Sequence, residues 1–115
     1  VLNDPHLSVI ARKWIADTRN TVYFSAASAW EISIKAQAGK LPLPDTPDRF
    51  LAQQCVQNGF VLLPITQQHC VQTYHLSLLH RDPFDRILVA QCQVEALAIL
   101  SADSLVAQYP VTVIW

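Results

Sequence analysis

Short continuous apolar runs alternate along this chain with longer stretches in which apolar residues return at helical spacing. Ser8 stands where it can cap a helix running to about Asp17, with Ile10, Trp14 and Ile15 on its apolar side. Residues 21–24 form a run of strand-forming residues, after which Ser25 can cap a second helix. That helix carries Trp30, Ile34 and Ala38 on one stripe and stops at Gly39. Residues 40–44 read as an extended connector, because each Pro disfavours helix at the residue before it. Thr46-Pro47-Asp48 opens a third helix, which Asn58-Gly59 closes. Residues 60–65 read as a strand. Thr66 then caps a helix bearing Cys70, Tyr74 and Leu78. Asp82 and Pro83 start the next helix, with Ile87, Leu88, Gln91 and Val94 spaced for a buried stripe. Residues 98–100 form a further strand, 104–108 a short helix or turn, and 111–114 a last strand.

Strands of this kind between amphipathic helices predict an α/β fold with a parallel sheet covered on both faces. Ligands of such sheets lie outside the carboxyl ends of the strands. The acidic residues that flank those ends are Glu31, Asp82, Asp85 and Asp103, with the hydroxyl of Ser25 beside the first visible strand. Facing carboxylates repel by roughly 4 kcal/mol per pair at about 4 Å and an effective dielectric near 20. They persist together when some are protonated or when a cation lies between them. With no His or Cys at ligand spacing, oxygen donors point to Mg²⁺ or Mn²⁺ and to metal-assisted phosphodiester hydrolysis.

Each of these residues also has a plain structural reading. Asp82 and Asp103 are placed to cap helices, as is Ser25. Glu31 can pair with Lys35 one turn on. Arg86 lies in the first turn of its helix, where positive charge is unfavourable, so it is expected to pair with a carboxylate or to meet a phosphate. His69, His75 and His80 read as polar surface or packing residues, and Trp14, Trp30, Tyr74 and Phe84 as core.

Composition narrows the class. The 115 residues suit one domain, residues 1–115, and a hydrophobic share of 51% supplies a core. A net charge of −1 argues against bulk electrostatic binding of nucleic acid, so any such contact is local. The sequence holds no apolar run long enough to span a membrane. Cys55, Cys70 and Cys92 lack metal-ligand spacing; Cys70 and Cys92 read as small core residues, and a reducing cytoplasm is the expected setting.

Four stretches carry a family resemblance: Ser25-Ala26-Ala27-Ser28-Ala29-Trp30-Glu31-Ile32-Ser33-Ile34-Lys35, then Gly39-Lys40-Leu41, then His80 to Gln91, then Leu100-Ser101-Ala102-Asp103. Together they resemble a PIN domain, with the VapC-type toxin of bacterial toxin–antitoxin pairs as the nearest subgroup. The resemblance implies a three-layer α/β sandwich with strand order 3-2-1-4-5, which cleaves RNA with Mg²⁺ or Mn²⁺ held by acidic residues. Carried over by position, Glu31, Asp85 and Asp103 are the implied catalytic metal ligands. Ser25, Asp82, Arg86 and Ser101 are implied to lie beside the site or to bind substrate. Implied partners are RNA, a cognate antitoxin and a second copy in a homodimer. The family's first, central strand and first helix have no counterpart here, and residues 2–8 resemble the loop that follows them. The expectation is therefore a domain that starts in mid-fold, either a ribonuclease toxin or an impaired remnant that only binds antitoxin or dimerises. A phosphatase-like hydrolase is a third reading, unsupported by any nucleophile motif.

Overall fold

Two pairs of parallel strands, each accompanied by helices, form the computed structural model, which describes residues 7–115. The expected loop over residues 2–8 lies largely outside the described residues. The chain divides into two compact units: Thr21–Pro64, and residues 7–20 together with Ile65–Trp115.

In the Thr21–Pro64 unit, β1 (Tyr23–Ser25) pairs in parallel with β2 (Val61–Leu63), Phe24 opposite Leu62. Ser25 serves twice. It ends β1, and its hydroxyl accepts the Ala27 amide at 3.0 Å to start α2 (Ala26–Gln37). After Ala38 the chain reverses at Gly39, where φ is +73°. Pro47 occupies the first turn of α3 (Pro47–Asn58), and Gly59 closes that helix in the left-handed region. The expected stripe on α2 does not become a core. Trp30 and Ile34 are exposed, and Ala27 is the residue that α2 buries fully. Two three-residue strands offer too little surface to cover large side chains along a 12-residue helix.

The second unit holds α1 (Val9–Ala16), α4 (Gln67–Gln72), a 3₁₀ turn at Thr73–His75, α5 (Pro83–Glu95), β3 (Ile99–Leu100), a 3₁₀ turn at Val106–Gln108 and β4 (Val113–Ile114). Ser8 caps α1 as expected, but Ile10 and Trp14 are exposed and Ala11 is buried. The two strands pair in parallel, Ile99 opposite Val113. Leu76, Val89, Ala90, Ile99, Val106 and Tyr109 form the core, with Cys92 packed against it. Burial pushes the Cys92 thiol up to about 11, as suits an inert core residue. Asp82 caps α5 by accepting the Phe84 amide at 2.9 Å, and Pro83 fills the first helical position. The buried face of α5 centres on Val89, Ala90 and Gln91, while Ile87, Leu88 and Val94 are half-buried.

The helix after Thr66 is shorter than the sequence pattern predicts. Regular helix stops at Gln72, so Tyr74 and Leu78 are exposed and Leu76 enters the core instead. The chain passes into a 3₁₀ turn there, and the Arg86 guanidinium donates to the Thr73 and Ser77 carbonyls at 3.0 and 2.9 Å. Cys70, expected in the core, is exposed. The inward position belongs to its neighbour His69, which is fully buried.

His69 closes a reciprocal cap. Its amide donates to the Thr66 hydroxyl at 3.2 Å, and its Nδ1 accepts the Thr66 amide at 3.0 Å. Nε2 is then left to donate to Glu95 of α5 at 2.8 Å. One imidazole thus starts α4 and ties it to the end of α5. His69→Ala leaves the Thr66 amide unpartnered and opens a cavity, so it is expected to destabilise the protein by about 2–4 kcal/mol. Urea unfolding checks this, and an unchanged midpoint would show that the cap is held by other contacts.

Candidate functional site

Three short segments of the second unit bring chemistry together: the loop ahead of α5, the first turn of α5, and the turn that follows β3. Asp85 lies in the first turn of α5 because Asp82 and Pro83 start the helix two to three residues earlier. Asp103 follows β3 and is held by two local bonds. Its amide donates to the Ser101 hydroxyl at 3.1 Å, and one carboxylate oxygen accepts the Leu105 amide at 2.8 Å. His80 stands between the two acids. Its Nε2 is 2.9 Å from Asp85 Oδ2 and 3.0 Å from Asp103 Oδ2. Its Nδ1 accepts the Asp82 amide at 3.2 Å, which leaves Nε2 as the nitrogen that donates to the carboxylates.

The two carboxyls experience opposite fields. Burial raises the Asp85 carboxyl above the ordinary aspartate range, helped by the negative charges of Asp82 and Asp103 and opposed by His80. The Leu105 amide lowers that of Asp103, and the His80 hydrogen bond adds to the effect. One ligand atom from each of His80, Asp85 and Asp103 lies within 4.8 Å of the others. That spacing suits a shared cation, since carboxylate oxygens sit about 2.0–2.6 Å from a hard divalent ion. The two carboxylate oxygens suit a hard divalent cation, while His80 Nε2 donates to both and would have to give up those bonds to join them.

The remaining candidates fall as follows. Asp82 acts as the α5 cap through its side chain and as a donor to His80 through its backbone. Ser101 orients Asp103. Arg86 donates to the Thr73 and Ser77 carbonyls and, at 3.1 Å, to the Tyr109 hydroxyl, in place of the carboxylate that is one of its two expected partners. Backbone carbonyls at the broken end of the preceding helix supply the negative partner that its position requires. Ser25 and Glu31 belong to the other unit. Ser25 caps α2, and Glu31 pairs with Lys35 at 3.0 Å. His80 is the member that sequence reasoning missed. Its spacing from Asp85 and Asp103 matches no ligand pattern, and only its place two residues before a helix cap could have drawn attention to it.

Comparison with known proteins bears on the same residues. A family model described as PIN domain matches residues 1–111. Over 58 residues the chain is 36% identical to a protein described as Ribonuclease VapC16 of Mycobacterium tuberculosis (strain ATCC 25618 / H37Rv). That stretch takes in 50% of this chain and 41% of the relative, so the match spans less than half of the relative's length. No solved structure matches the chain. The resemblance read from the sequence, to the PIN domain and its VapC-type subgroup, agrees with both matches.

The shifted carboxyls fix the sign of a stability effect. The folded protein holds the Asp85 proton to higher pH than the unfolded chain does. Ionising Asp85 therefore costs stability as pH rises from the ordinary aspartate pKa through the raised folded one. Asp103 has the reverse sign: its contribution is present at neutral pH and is lost as pH falls through its lowered pKa. Asp85→Asn is expected to raise the melting temperature of the metal-free protein at pH 7, and to leave it little changed below about pH 3. A lower melting temperature at pH 7 would contradict the assignment of Asp85 as an electrostatically costly residue.

Proposed function

Because the chain belongs to the PIN domain family, we propose that it is a VapC-type endoribonuclease toxin whose site is built on Asp85 and Asp103 and takes Mg²⁺ or Mn²⁺. The observation that carries this reading is the juxtaposition of the two carboxylates across His80, with ligand atoms at a spacing a cation fits. When bound, the ion polarises a phosphodiester and lowers the pKa of a water that attacks it.

The chain's own residues supply position and charge. Asp85 and Asp103 hold the ion, and the raised carboxyl of Asp85 shows that the acid is kept at electrostatic cost, as expected of a residue serving chemistry more than stability. Ser101 fixes the backbone from which Asp103 projects, and Asp82 fixes the helix start from which Asp85 projects. Glu31 joins the ligand set on the family resemblance. Within its own unit it is partnered by Lys35, whose ammonium a cation would replace. Ser25 and Arg86 enter as structural supports, one capping α2 and the other holding the loop ahead of α5. RNA as substrate, a cognate antitoxin as inhibitor, a homodimeric state and a cytoplasmic setting complete the proposal. RNA as substrate follows the relative's description as a ribonuclease, and the antitoxin, the homodimer and the cytoplasmic setting rest on the family resemblance. Among the described residues no helix is long and apolar enough to cross a membrane.

Mn²⁺ titration by calorimetry, run beside cleavage of a single-stranded RNA in Mg²⁺, tests the reading. The proposal expects Mn²⁺ binding and Mg²⁺-dependent cleavage by the wild-type chain, both reduced at least tenfold in Asp85→Asn and Asp103→Asn. A loss of binding in Glu31→Gln would bring that residue into the ligand set. Weak or absent Mn²⁺ binding without cleavage would favour the impaired remnant and overturn the metal site in this chain.

A further inference from the structure

Tyr109 is almost fully buried, yet its hydroxyl takes part in three hydrogen bonds. It accepts the His80 amide at 2.9 Å and the Arg86 guanidinium at 3.1 Å, and it donates to the Ser77 carbonyl at 2.8 Å. One donor and two acceptors are the full capacity of a phenol oxygen. Each of the three segments that carry the candidate site ends on this atom. His80 belongs to the loop, Arg86 follows Asp85 on α5, and Tyr109 itself lies six residues beyond Asp103, past the 3₁₀ turn. No regular element spans residues 76–82, and Leu78 and Leu79 are exposed, so beyond the buried Leu76 this segment is held by polar contacts.

We propose that Tyr109 is a positioning residue for the Asp85–Asp103 pair, acting through the backbone of His80. The hydroxyl fixes the His80 amide, and with it the start of the side chain whose Nε2 meets both carboxylates. The Asp82 amide on Nδ1 then sets the ring's rotation. Arg86 holds the Ser77 and Thr73 carbonyls ahead of α5, and the hydroxyl ties that segment and α5 to the chain beyond the post-β3 turn, beside the link that the His80 ring makes through Asp85 and Asp103. The inference rests on the metal-site reading for its consequence but not for its geometry.

Tyr109→Phe tests it, since Phe keeps the ring in the core and removes only the oxygen. Val106→Ala is the control: it loosens the same core cluster and touches none of these bonds. Two measurements are compared in wild type and both variants: Mn²⁺ affinity by calorimetry, and the His80 ring Nε2–H signal in the metal-free protein by ¹⁵N NMR. Tyr109→Phe is expected to weaken Mn²⁺ binding roughly tenfold or more and to broaden the His80 ring signal. Val106→Ala is expected to lower the melting temperature while leaving both readouts as in wild type. Equal affinity and an unchanged His80 signal in Tyr109→Phe would overturn the proposal, as would matching losses in the two variants. Absence of Mn²⁺ binding in the wild type would remove the metal reading alone, because the ring signal reports positioning without any metal.

Discussion

Two carboxylates facing one imidazole nitrogen set the terms for the second unit of this protein. Asp85 and Asp103 repel each other across His80, the more so because Asp85 is partly withdrawn from water. The ring offers a single nitrogen to both, at 2.9 and 3.0 Å. Partial relief comes from elsewhere: the Leu105 amide takes up charge on Asp103, while Asp85, more buried and close to Asp82, has its carboxyl held above the ordinary range. An arrangement of this kind is poorly stabilised by its own contacts. The surrounding backbone fixes where these side chains start and so brings them together.

That backbone is set by a small number of polar contacts reaching into an otherwise apolar core. Asp82 and Pro83 fix where α5 begins, and Ser101 fixes the turn before Asp103. Arg86 reads as a misplaced charge at the positive end of its helix until its partners are considered. The carbonyls of Thr73 and Ser77, in the segment between α4 and α5, accept hydrogen bonds from it and compensate its charge. Tyr109 links the same loop to the core, and His69 performs a related task at the other end of the α4–α5 pair. The apolar residues supply burial, while these bonds decide register and direction.

How much of this the sequence disclosed depended on the range of the interaction. Caps and stops were legible because they are local: Ser8, Ser25, Thr66 and Asp82 as helix starts, Gly39 and Gly59 as ends, all match. The parallel pairings match the expected α/β class, although the described residues form two two-stranded sheets. Burial was less legible. Trp14, Trp30 and Tyr74 are exposed where periodicity put them inside, because periodicity identifies an apolar face without showing how much surface is available to cover it. Asp85 and Asp103 were legible as candidates by their place near helix and strand ends. His80 was not, since its meeting with them spans 23 residues of sequence and depends on a loop path that no local pattern encodes.

The central claim is that His80, Asp85 and Asp103 form one cluster whose carboxylates receive a divalent cation. The most direct measurement is ¹H–¹⁵N NMR of the histidine rings during a titration of the wild-type protein with Mg²⁺. A single saturable shift of the His80 ring resonances, absent in Asp103→Asn and unaccompanied by change at the buried His69, is the predicted result. Mg²⁺ that leaves His80 unmoved, or that moves His69 and His80 alike, would contradict the account.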